Sequence, residues 1–169
     1  MTLKIVEELS LSQINDLINF SNSDSLIKQT TTDDVRFQDE KAYKLWLTKK
    51  RKIYALVDES EKLQGIIWFG EKEFPQNINL PESINRSNFN LTFAIRIYEN
   101  LRGKGYAVNF MKEAYERFIK TDEYINSVNK GFWLLVNNDN IPAIKTYERF
   151  GYKKIEAETG TDRKIMVYR

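Results

Sequence analysis

One stretch limits what this chain can fold into more than any other. From Leu91 to Tyr98 apolar and mixed residues alternate strictly, with Leu91, Phe93, Ile95 and Ile97 on one face and Thr92, Ala94, Arg96 and Tyr98 on the other. After the turn Arg102-Gly103-Lys104-Gly105 the period changes to 3.6, and Ala107, Phe110, Met111, Ala114, Tyr115, Phe118 and Ile119 form a helical stripe. A strand feeding a helix through paired glycines predicts α/β layering. The stripe reads as core.

The flanking segments extend the pattern. Lys4 to Glu7 is a weak strand, and Ser10 with Gln13 makes a capping box before Leu11, Ile14, Leu17, Ile18 and Phe20. Ser21 to Asp34 is polar and predicts a loop. A second helix is expected over Asp39 to Lys50, with Ala42, Leu45, Trp46 and Lys49 along one side. Ile53 to Asp58 and Gly65 to Phe69 predict a hairpin. Phe74 to Asn90, with two prolines and little period, predicts a long loop or loose insertion, functional or merely tolerated. Phe132 to Val136 reads as a strand buried on both faces. Asn140 is an N-cap with Pro142 in the first turn, and Gly151 ends that helix. Tyr152 to Glu158 and Arg163 to Tyr168 predict a closing hairpin around Thr159-Gly160-Thr161-Asp162. At 169 residues without internal repeats, the chain is expected to be a single domain, 1–169.

Two residue types are missing, cysteine and histidine. Their absence excludes disulfides, a cysteine nucleophile, thiolate or imidazole metal ligation and any triad built on histidine, and no metal is expected. The formal net charge of +2 is too balanced for a nucleic-acid protein. The basic run Lys49-Lys50-Arg51-Lys52 reads as a helix end, or as a contact for a phosphate-bearing partner. Acids near the N-terminus and the lack of an apolar run of about 18 residues predict a soluble, cytoplasmic chain with no membrane partner.

Chemistry gathers at the glycine turn. Paired glycines leave backbone N–H groups uncovered, the following helix adds its unpaired first-turn amides, and Arg102 and Lys104 add charge. Such a turn suits a pyrophosphate, although glycine pairs also serve ordinary strand–helix junctions. It is neither a dinucleotide fingerprint nor a P-loop.

Arg102-x-x-Gly105-x-Ala107 after a strand, followed by Val136-Asn137, Asn140, Ala143, Tyr147-Glu148 and Gly151-Tyr152, resembles the two ordered motifs of the GCN5-related N-acetyltransferase (GNAT) superfamily. The resemblance implies a mostly antiparallel mixed sheet of about seven strands flanked by about four helices, with a splayed V between the fourth and fifth strands. It implies acetyl-CoA as co-substrate, held by Ile95, Ile97, Arg102, Gly103, Lys104, Gly105, Tyr106, Ala107, Asn140 and Ala143. Tyr147 would be the general acid, unless it simply packs on the helix stripe. The position where some members carry a basic glutamate falls near Leu91, which leaves Glu99, Glu71 or water as base. The acceptor would be a primary amine of a small molecule, or else of a peptide or protein, with Asp33, Asp34, Glu71 and Glu73 as candidate contacts for a cationic amine. A homodimer is a candidate assembly, and a non-catalytic acyl-CoA-binding module is the rival reading.

Overall fold

The structure, a computed structural model, describes residues 2–156 and 160–169. The chain runs β1 (Lys4–Val6), α1 (Leu11–Ser23), α2 (Ser25–Thr30), α3 (Asp33–Arg36), α4 (Glu40–Leu47), β2 (Arg51–Val57), β3 (Leu63–Glu71) and β4 (Phe89–Ile97). It continues through α5 (Tyr106–Phe118), α6 (Asp122–Ile125), β5 (Gly131–Asn137), α7 (Ile141–Phe150), β6 (Lys153–Ile155) and β7 (Arg163–Tyr168). The strands form a seven-stranded mixed sheet in the order β1-β2-β3-β4-β5-β7-β6. The β4–β5 pair is parallel, and the β1–β2, β5–β7 and β6–β7 pairs are antiparallel. Ala157, Glu158 and Thr159, at the turn of the expected closing hairpin, lie outside the described residues.

The expected architecture is present, but the helix count is not four. Seven α-helices occur among the described residues. The three extra ones have only 4 to 6 residues, too few for a hydrophobic period to register. Local capping helps to define two of them. Asp24 Oδ1 accepts from the N–H groups of Leu26 and Ile27 at 3.1 and 3.2 Å, and Thr121 caps α6. Most of the polar segment 21–34 is therefore helical. Helix α4 also corrects the expected stripe. It ends at Leu47 and buries Tyr43 and Trp46, leaving Leu45 64% exposed. The basic run lies beyond it, with Lys49 and Lys50 in the turn and Arg51 and Lys52 opening β2.

The backbone divides into two compact units, Met1–Trp68 with Ile95–Ala114, and Phe69–Ala94 with Tyr115–Arg169. In the first unit the Ser10–Gln13 capping box forms in both directions, at 3.3 and 3.0 Å. Helix α1 buries Ile14 and Leu17, and its polar side ties down the β2–β3 turn. There the Gln13 amide donates to the Glu61 carbonyl, and Asp16 accepts from the Leu63 N–H. Phe20 stacks on Tyr98 with ring centroids 4.1 Å apart.

The second unit has an aromatic core. Phe69 stacks on Phe118 at 4.5 Å, and Phe93 meets Tyr147 and Tyr152 at 5.6 and 5.4 Å. Strand β5 pairs with β7 through 6 residue pairs, Phe132↔Tyr168 to Asn137↔Arg163. With β4 its ladder holds Phe89↔Gly131 and Leu91↔Phe132, with a register shift between them. Gly131 is required there by close approach. A Cβ on it would lie 2.3 Å from the Asn88 carbonyl oxygen and 2.6 Å from the Phe89 ring.

Residues 74–90 are no loose insertion. Phe74 and Ile78 are buried in one cluster with Phe89, Trp133, Ile155, Ile165 and Val167. Arg86 closes the segment on itself by donating to the carbonyls of Gln76 and Ile78 at 2.7 and 2.6 Å. Two buried anchors within a polar stretch escape any periodicity test.

Two outcomes follow. Gly131→Ala should lower stability by about 1–3 kcal/mol, because the methyl meets backbone that cannot give way; the urea midpoint at constant m-value measures this. Burial raises the Tyr98 and Tyr152 phenols above their ordinary range. In the unfolded chain both titrate near pH 10, so the native state binds more protons above that value. Stability should be fully present below about pH 10 and fall above it, by up to about 1.4 kcal/mol per pH unit for each phenol. Urea unfolding at pH 8, 10 and 11 reads the slope, which Tyr98→Phe should reduce.

Candidate functional site

In the first unit, strand β4 ends where the Tyr98 N–H donates to the Gln64 carbonyl at 3.0 Å. A short 3-10 turn, Glu99–Leu101, follows, and the Lys104 N–H closes on the Leu101 carbonyl at 3.2 Å. Gly103 and Gly105 have φ of +78° and +83°, and a Cβ on either would meet nothing within 4 Å. Glycine is needed here for backbone handedness and not for room. The turn is open to solvent at Gly103, Lys104 and Gly105, and the 13-residue helix α5 starts at once with half-buried Tyr106 and Ala107. First-turn amides of a helix have no acceptor within it and carry the positive end of its dipole. The turn can thus receive an anion.

Arg102 does something the sequence does not reveal. Its Nη2 pairs with Asp24, and its Nε donates to the Ile97 carbonyl at 3.2 Å. Asp24 caps α2 with its other oxygen. One guanidinium therefore ties the end of β4 to the α1–α2 junction. The Ile95 carbonyl likewise accepts from Arg96 Nη1 at 2.9 Å. Each carbonyl has a second lone pair left for a ligand.

Asp33 is almost wholly buried, at 1% exposure, between two arginines. Arg96 approaches it through Nε at 2.7 Å and Nη2 at 3.2 Å, and Arg36 through Nη1 at 2.5 Å. It is thus occupied by two cations and not placed to hold a cationic amine. Asp34 accepts from the Val35 N–H at 3.0 Å. A charged residue in the middle of strand β4 was the available signal for this pair.

In the second unit Asn140 Oδ1 accepts from the Ala143 N–H at 3.3 Å, as the N-cap reading expects. That bond uses the Ala143 amide and leaves the Asn140 Nδ2 donors unused among the described residues. Tyr147 is 9% exposed and stands edge-on to Phe93 at 5.6 Å, next to Tyr152 at 6.0 Å. Its carbonyl accepts from the N–H groups of Gly151 and Tyr152 at 3.1 and 2.9 Å, with Gly151 at φ +123°. Packing and chemistry can therefore share this side chain. Glu71, at the end of β3, and Glu99, in the 3-10 turn, are both exposed.

Asp33→Asn should lower stability by about 3 kcal/mol, since it leaves two partly buried guanidiniums without their counter-charge. A shift in the urea midpoint at constant m-value checks this.

The profile of the Acetyltransferase (GNAT) family matches residues 15–152. Comparison with curated proteins gives no match. Among solved structures, the chain is similar to the spermidine N-acetyltransferase of Vibrio cholerae in complex with CoA and spermine. The TM-score there is 0.65 at 17% identity, over 98% of this chain and 94% of the other. It is also similar to the Campylobacter jejuni N-acetyltransferase PseH in complex with acetyl coenzyme A (0.59, 15%, 99% of each chain). A GNAT-family acetyltransferase of Streptococcus pneumoniae gives 0.63 at 16%, over 99% of each chain. At these identities the likeness is one of fold. The glycine turn between β4 and α5 and the asparagine-capped α7 both fall within the matched span, and the chain belongs to the GNAT family of acetyltransferases.

Proposed function

We propose that this is a cytoplasmic, single-domain N-acetyltransferase that moves an acetyl group from acetyl-CoA to the primary amine of a small molecule. The observation that carries the reading is the turn between β4 and α5. Two glycines of positive φ there leave an open backbone surface at the start of a long helix. That surface fits a pyrophosphate in charge and in room.

In this reading the amides of Gly103 and of Gly105 to Ala107 bind the pyrophosphate, while the Lys104 N–H stays on the Leu101 carbonyl and its side chain adds a solvent-facing charge. Arg102 acts by fixing the strand end through Asp24 and Ile97. The backbone at Ile95 and Ile97 pairs with the pantetheine arm as an added strand would, and an N–H near Ile97 polarises the thioester carbonyl. Asn140 Nδ2 is left to donate to the pantetheine amide region, beside Ala143.

The chain has no cysteine, which removes an acetyl-cysteine relay and favours direct attack by the amine. A C–N bond forms as the C–S bond breaks. The departing thiolate takes the Tyr147 proton, and the amine gives its proton to Glu99, Glu71 or water.

Tyr147→Phe should reduce kcat by about 10²-fold or more and leave acetyl-CoA affinity unchanged. Thiol release and calorimetry measure the two quantities. Wild-type kcat in that variant would remove Tyr147 from the mechanism, and absence of acetyl-CoA binding by the wild type would overturn the reading.

A further inference from the structure

The first unit holds a group of side chains that acyl-donor binding leaves unused. Arg36, Arg51, Trp46 and Trp68 pack together beside the Asp33–Arg96 pair. The Arg51 guanidinium carbon lies 4.6 Å from the Trp68 ring centroid and 5.3 Å from that of Trp46. Arg36 lies 5.6 Å from Trp68. The two indoles meet edge to face at 5.5 Å.

Charge is unbalanced here. Three guanidiniums share one carboxylate, and Asp33 is taken up by Arg36 and Arg96. Among the described residues Arg51 has no carboxylate partner. Burial and the neighbouring charge of Arg36 both hold its guanidinium below the ordinary value.

The polar atoms left over are all donors. Arg51 Nε, Trp46 Nε1 and Trp68 Nε1 are buried N–H groups with no acceptor among the described residues. Buried donors without acceptors are unfavourable, and here they share a neighbourhood with an uncompensated cation. What would complete the group is an oxygen anion offering several lone pairs to donors with apolar rings beside them. A carboxylate matches the fork of a guanidinium. Arg51, the first residue of β2, is only partly covered.

We propose that Arg51, with Trp46 and Trp68, binds the carboxylate of the acceptor, so that the preferred acceptor is an amino acid or similar amino-carboxylate and not a polyamine. This deepens the acyl-transfer reading and rests on it. Arg96 links the two, since it stands on β4 between Ile95 and Ile97 while its side chain reaches Asp33 beside Arg36. A polycation would meet two extra positive charges in this group. An amino-carboxylate would neutralise one of them and keep its amine for the reaction.

The test uses amines paired by a single carboxylate, L-methionine against 3-(methylthio)propylamine and L-lysine against cadaverine, with spermidine as the polycation. The carboxylate-bearing member should have kcat/KM higher by roughly tenfold or more. Arg51→Met should raise its KM by roughly tenfold while the KM for acetyl-CoA and the kcat at saturation stay unchanged. Arg51→Lys, which keeps the charge and loses the fork, should fall between the two. Tryptophan fluorescence titrated with the same aliphatic probes reports binding without turnover. It should respond to L-methionine or L-lysine in the wild type and not in Arg51→Met. Preference for spermidine or cadaverine, an Arg51→Met variant with undiminished discrimination, or no carboxylate-dependent response by either readout would overturn the proposal. Failure of acetyl-CoA to bind in calorimetry would instead remove the acyl-transfer reading, and the fluorescence titration would still report on the anion site.

Discussion

The Asp33 carboxylate organises the first unit. Almost fully buried, it draws Arg36 from its own short helix and Arg96 from the middle of β4. Neither arginine could sit so deep without it, because an unpaired buried cation is strongly disfavoured. Asp24 repeats the device at the next level, capping α2 with one oxygen and pairing with Arg102 through the other. Short helices with little hydrophobic burial of their own are thereby fastened to a strand and to the turn that follows it. Charge does here what an apolar stripe does for α1 and α5.

The second unit is held by different means. Rings meet in offset and edge-on pairs from Phe69 through Phe132 to Tyr168, and hydrogen-bonded ladders run along β5, β6 and β7. Tyr147 belongs to this network through Phe93 and Tyr152. A packed ring has few orientations, so the core itself holds this phenol at a defined angle. The same packing explains why sequence alone supports both a core role and a chemical one for this residue.

Legibility tracked the distance between partners. The Ser10–Gln13 box, the α5 stripe, the doubly buried β5 and the Asn140 cap rest on residues three or four apart, or on an unbroken local pattern, and each is readable in the sequence. The Arg96–Asp33 and Arg102–Asp24 contacts span 63 and 78 residues, and nothing local announces them. Hence Asp33 reads as a candidate for a substrate amine when it is the counter-ion of two arginines. Helices α2, α3 and α6 escape for the opposite reason, being too short to show any period, with a capping oxygen to mark only α2 and α6. The glycine turn was legible in full, because positive φ is a demand that residue type displays directly.

The segment from Phe74 to Asn90 has a further consequence for how this fold can vary in length. Its polar composition makes it look like the first place to shorten the chain, and the entropy of closing a loop changes only slowly with residue number. Yet Phe74 and Ile78 pack with Trp133, whose indole N–H donates to the Lys72 carbonyl just before the segment begins. Removing the segment, with Arg86 and the carbonyls it clasps, would uncover the largest side chain of β5. The segment is therefore tied to the core at Phe74 and Ile78, and trimming it would expose the hydrophobic surface those two residues cover.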